Sequence, residues 1–339
     1  MKYSVKSFAD KRKIYILHII ATLLLFAAVA IGVLSGSSDI ALNDVINAFF
    51  NGAESTVGKI IIYVRLPRVL GAVFAGSALS VSGMIIQNVL FNKLASPSII
   101  GINSGAGFAV TLCSVCGIFG GFELSFCAFL GALTVALTIC TVSKKLGASK
   151  TTVILLGVAV NSLMNALSDA IITFAPDIVS ISRDFKIGDF SSVTYEKLLP
   201  SVVLITATIT VLATLTNSLD VLSLGEENAF GLGLNASKMR MIFLLCAAVL
   251  SGCAVSIAGL VSFIGLIVPH TLRRLGVNKP AHLLPLCALF GGAFTLICDT
   301  LARTLFSPYE IPVGIIMAFI GVPFFIFLLI KSKGGRTDA

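Results

Sequence analysis

The stretch Met241-IFLLCAAVLSGCAVSIAGLVSFIGLIV-Pro269 runs for 29 residues without a formal charge. As one continuous helix it would reach ~43 Å at 1.5 Å per residue. That is too long for a single crossing of a ~30 Å hydrocarbon layer and too short for two full ones. Gly252, Gly259, Gly265 and Pro269 are the places where it can break. How often this stretch crosses decides the fold, because it sets the side of every segment that follows.

Around it lie further apolar runs at 14–34, 66–90, 104–121, 124–143, 153–174, 198–217, 282–304 and 312–330. Hydrophobic residues make up 57% of the 339-residue chain and charged residues 12%, with no Trp. A soluble domain carries about 25% charge, so a soluble enzyme, a disordered chain and a disulfide-stapled secreted domain are excluded. The runs are continuous rather than alternating, which favours α-helices over a membrane β-barrel. The run 14–34 follows Lys11-Arg12-Lys13 without a small-residue cleavage site and reads as a retained first helix. No linker divides residues 1–339, so a single transmembrane domain is expected.

Charge settles the parity. If 241–269 crosses twice, as 241–258 and a short or broken 259–271, there are ten spans with both termini on one side. That side then holds 17 of the 24 Lys and Arg residues. If it crosses once, the split is 12 to 12. The positive-inside rule selects ten spans in a multi-pass protein of the cytoplasmic membrane, with both termini cytoplasmic. The net charge of +8 is thereby spent on inner loops and does not point to nucleic acid.

The chain carries no visible engine. Its nearest approach to a phosphate loop, residues 53–60, lacks both the first Gly and the terminal hydroxyl. No nucleophile–base pair, metal pattern or resident cofactor is legible, and no catalytic residue is assigned. Cys113-x-x-Cys116 has redox spacing but lies inside an apolar run, so buried free thiols are expected. Asp299 stands four residues before Arg303, the spacing of an intrahelical ion pair. Asp169 is open: a proton site, a group facing a translocation path, or a contact with a partner subunit.

Two loops look specialised. Segment 218–240 is the longest inner loop, carries Glu226-Glu227, and is punctuated by Gly225, Gly231 and Gly233 among Leu and Phe residues. An apolar, Gly-broken loop of this kind is expected to dock into something. On the outer side, Arg65-Leu-Pro-Arg68 opens the second span and Arg303 ends the ninth. They could hold acidic residues of an external partner or snorkel to headgroups.

Taken together, Arg65-Leu-Pro-Arg68, Gly76-Ser-Ala-Leu-Ser-Val-Ser-Gly83, Gln87, Leu224-Gly-Glu-Glu-Asn-Ala229, the block Ala258 to His270, Asp299, Ala302-Arg303-Thr304, Glu310 with Pro312-Val-Gly314, and Ile320-Gly-Val-Pro-Phe-Phe325 resemble the FecCD family over residues 60–330. These are permease subunits of ABC importers for ferric siderophores, haem and vitamin B12. Lys93 departs from the family's Asn-Pro-Leu-Ala block, and residues 185–190 differ from its usual outer loop.

The resemblance implies ten helices with helices 2–5 and 7–10 in opposite orientation, and a second permease subunit, identical or related, across a central path. Arg65, Arg68 and Arg303 would dock an extracytoplasmic substrate-binding protein. Gly225, Glu226, Glu227, Gly231 and Gly233 would seat on an ATP-binding cassette ATPase dimer, where ATP and Mg would bind. Ser149, Lys150, Thr151 and Thr152 fall at the family's inner gate. The expected function is the membrane subunit of an ABC importer for ferric siderophores. The alternative is an ion-coupled secondary transporter using Asp169.

Overall fold

The computed structural model describes residues 2–36, 55–98, 101–145 and 150–333, and among them the secondary structure is helical throughout. The first helix, α1 (Lys2–Leu34), is followed by α2 (Thr56–Ile60), a π-helical turn Ile61–Arg65, and α3 (Leu66–Leu90), which form one uninterrupted rod. Next come α4 (Ile102–Val115), α5 (Gly121–Lys145), α6 (Lys150–Phe174), the short α7 (Val179–Ile187) and α8 (Tyr195–Thr214). The second half holds α9 (Thr216–Ser223), α10 (Glu226–Gly231), α11 (Ala236–Ala258), α12 (Ile264–Arg274), α13 (Pro280–Thr304) and α14 (Val313–Lys333). Among the described residues, seven helices are long and apolar enough to cross a membrane, and α4 and the α14 segment Val313–Ile326 are shorter apolar helices. With the broken helix α12, ten helices account for the bundle.

The stretch 241–269 divides as its glycines suggest. α11 stops at Ala258, Gly259 adopts φ +69°, and α12 restarts after Phe263, itself left-handed at φ +69°. The break leaves backbone groups without helical partners, and the segment around α7 takes them up. Asp189 N donates to Ala258 O (2.9 Å) and Leu260 N donates to Phe185 O (2.9 Å). Irregular backbone at this depth is tolerated because protein covers it. α7 itself is not anticipated from sequence, since Asp177, Arg183, Asp184 and Lys186 make that region read as loop.

α3 is the centre of the bundle, flanked by α13, α11 and α12. Gly83 meets the Gly265 backbone on α12, and Gly76 meets Gly291 on α13, so closely that a Cβ at either position would collide. Such contacts supply close van der Waals packing in a solvent where burial adds little. Polar side chains add directed bonds. Ser82 Oγ donates to Ala247 O (2.8 Å), Ser77 Oγ to Ala288 O (2.7 Å) and Gln87 Nε2 to Gly265 O (3.0 Å). The π turn also has a local cause: Pro67 has no N–H to give to the preceding turn. Tyr195 Oη donates to the Ile62 carbonyl (2.8 Å) beside it.

The span 104–121 expected from sequence ends six residues early, at Val115. Gly117 (φ +86°) and Gly121 (φ +76°) turn the chain there. Cys116 is therefore exposed and Cys113 half-buried, which corrects the expectation that this pair of free thiols is buried.

Candidate functional site

Two ends of the bundle carry the groups singled out above. At one end, the last carbonyls of α1 have no partner within the helix and need donors. Arg65 Nη1 donates to Val33 O (2.9 Å) and Leu34 O (2.7 Å), and Arg303 Nη2 donates to Gly32 O (2.7 Å). Two positive side chains thus close the negative end of the α1 dipole.

Arg68 joins Arg303 through Asp299. Its Nε and Nη2 fork onto Asp299 (3.1 and 3.0 Å to Oδ1), and its Nη1 reaches Glu310 Oε2 at 2.6 Å. Asp189 lies 3.9 Å away, and Arg303 Nε is 3.4 Å from the far oxygen of Asp299. Two guanidiniums, Arg68 and Arg303, therefore share Asp299, Arg68 also faces Glu310 and Asp189, and all three arginines are only 2–6% exposed. Neither headgroup snorkelling nor a free cationic surface describes this arrangement. The i,i+4 pair of Asp299 and Arg303 is present, but the closer partner of Asp299 is Arg68, 231 residues away. Glu310 and Asp189 were not anticipated as members. Their side chains are 33% and 30% exposed, whereas Asp299 is at 0%.

A cavity of about 330 Å³ opens beside this cluster, lined among others by Phe119, Ser125, Asp184, Asp189 and Lys197. Asp189 belongs to both features. The cavity is walled by the α4–α5 turn, α7 and the α11 end.

At the opposite end, α9 and α10 form an elbow. Leu219, Leu222 and Ala229 point inward, while Leu224 (58% exposed), Phe230 (80%) and Leu232 (65%) project outward. Gly225 (φ +103°) and Gly233 (φ +77°) make the turns on either side of α10, and Glu226 and Glu227 open that helix. Gly231 closes it, with open space where a side chain would go. Nearby, Arg273 donates to Gln87 Oε1 and to Asn88 Oδ1 (3.1 Å), pinning α12 to the end of α3.

Lys150, Thr151 and Thr152 form the first turn of α6, and Ser149 lies outside the described residues. α6 is the least enclosed long helix, with 11% of its apolar window buried. Ser162, Asn165 and Asp169 are exposed along it at i, i+3 and i+7, hence on one face. Asp169 is paired with Lys186 Nζ at 3.4 Å, and its side chain is 69% exposed. It is not the enclosed carboxylate that ion coupling would use. Among the described residues, no group of three His, Cys, Asp or Glu side chains is placed to hold a metal ion.

The sequence profile of the FecCD transport family matches residues 23–331. The chain belongs to the FecCD transport family. It is 36% identical over 321 residues to the Fe(3+)-citrate import system permease protein YfmE of Bacillus subtilis, covering 93% of this chain and 94% of that one. It is also 36% identical over 283 residues to the hemin transport system permease protein HmuU of Yersinia pestis, covering 81% and 84%. A solved structure of a metal-chelate type ABC transporter in an inward-facing conformation superposes with a TM-score of 0.83 at 31% identity, over 94% of this chain and 99% of that one. This FecCD chain is thus an integral membrane protein and a permease subunit of an ABC importer.

Proposed function

We propose that this permease carries a ferric chelate of the siderophore class across the cytoplasmic membrane, driven by ATP hydrolysed in a separate subunit. The observation that carries the borrowed motor is the α9–α10 elbow. Leu224, Phe230 and Leu232 stand out from a Gly-hinged surface, and an ATPase dimer with an apolar groove would cover them. Cargo class follows from relatives that include the Fe(3+)-citrate and siderophore permeases of Bacillus subtilis. The arginine end then faces outward and both termini face the cytoplasm, in line with the 17-of-24 split of basic residues.

Docking of a substrate-binding protein falls to the arginine end. Because Arg68 is already paired with carboxylates, docking works by exchange. Carboxylates of the partner displace the half-exposed Glu310 and Asp189 from Arg68, while enclosed Asp299 stays in place. Arg65 and Arg303 hold the end of α1 as the rim of that surface. The polar face Ser162, Asn165, Asp169 of α6 is unsuited to lipid. It fits a water-lined path shared with a second permease subunit, with residues 150–152 at its inner mouth.

Reconstitution tests the reading. Proteoliposomes holding this chain, its ATPase and its binding protein should accumulate 55Fe-siderophore only with ATP. Uptake of haem or cobalamin in place of iron chelates would overturn the cargo class.

A further inference from the structure

Three cysteines cluster at the tip of the α4–α5 hairpin, and transport gives them no task. Cys113 lies in the last turn of α4, Cys116 follows that helix and is exposed, and Cys127 lies in the second turn of α5. Helix register brings them together. Gly131 of α5 faces Gly105 and Ala109 of α4 at close backbone approach. One turn nearer the tip on each antiparallel helix, Cys127 comes to face Cys113. By this register the two residues share the α4–α5 interface, and Cys116 follows Cys113 by three residues. A disulfide needs Cα atoms about 4.4–6.8 Å apart, a separation that glycine-mediated helix contacts favour. By contrast Cys140, Cys253, Cys287 and Cys298 are buried among apolar side chains.

We propose that Cys113 and Cys127 form a reversible intramolecular disulfide, and that exposed Cys116 is the thiol an external disulfide reaches first. The Cys116 thiolate attacks one sulfur of a small-molecule disulfide R–S–S–R, and the departing R–S⁻ takes up the proton Cys116 released. Cys113 then displaces the second R–S⁻ from the mixed disulfide, forming a Cys113–Cys116 bond. Cys127 displaces Cys116 to leave Cys113–Cys127. In sum, two protein thiols are oxidised by two electrons and R–S–S–R is reduced to two R–SH. The new bond would staple α4 to α5 beside Phe119 and Ser125, which line the cavity at the arginine end. This inference is independent of cargo and of membrane orientation.

The test uses the full-length wild-type chain in nanodiscs, where both faces are open, with oxidised glutathione as the probe. Differential alkylation and mass spectrometry should show Cys113 and Cys127 losing reactivity together, with a linked 113–127 peptide that disappears on reduction. Cys116→Ser should slow its formation at least tenfold, and Cys127→Ser should halt the exchange at a linked 113–116 peptide. Full alkylation of both Cys113 and Cys127 after oxidation would overturn the disulfide. An unchanged rate in Cys116→Ser would overturn the role of Cys116.

Discussion

Arg68 and Asp299, 231 residues apart, form a forked ion pair at 3.0–3.2 Å between the start of α3 and the last turns of α13. Asp299 is wholly enclosed, so its charge depends on Arg68 and Arg303. Removing one partner of such a pair costs roughly 3–5 kcal/mol, because the other is left buried and uncompensated. Arg68→Ala should therefore lower thermal stability in detergent sharply, and Arg68→Met with Asp299→Leu should recover most of it. Equal losses in the single and double variants would show that the pair is not the source.

The proposed exchange at the cluster would make Glu310 a competitor for docking. Glu310→Gln should strengthen binding-protein affinity, with a fold-gain that shrinks as salt rises. Affinity unchanged or reduced at low salt would argue that Glu310 does not compete for Arg68.

Much of this was legible beforehand. Met241 to Pro269 divided at Gly259 because charge parity demanded two crossings and the glycines offered a hinge. The Arg65, Arg68 and Arg303 group stood out because positive residues are disfavoured on the outer face. Asp189 and Glu310 were hidden for a physical reason: pairing across the fold leaves no periodic trace along the chain. α7 was hidden too, since its stabilising contacts with the α11–α12 break are tertiary. Cys116 was misplaced because hydropathy reads apolar runs but not the left-handed turns at Gly117 and Gly121.

Close approach of α3 and α12 rests on Gly83 and Gly265. A side chain at position 83 meets backbone, which cannot rotate away, so Gly83→Val should prevent correct assembly. Size-exclusion profiles and protease resistance in membranes report this. A native profile would mean the helices separate at little cost.

Tyr195 offers a milder case. Tyr195→Phe removes the bond to the Ile62 carbonyl while keeping the ring, and interhelical hydrogen bonds in membranes average about 0.6 kcal/mol. Thermal unfolding should shift by only a degree or two. A large loss would mean that the π turn depends on that hydroxyl.

The α9–α10 elbow carries the central claim. Phe230 is 80% exposed and touches little of its own chain, so Phe230→Asp should leave the fold and the binding-protein interaction intact. The direct measurement is co-purification of the ATPase subunits with wild-type and Phe230→Asp permease, alongside ATP-driven 55Fe uptake in proteoliposomes. The account predicts that the variant loses both the ATPase and the uptake. Retention of both, or uptake by the permease alone on an ion gradient, would contradict it.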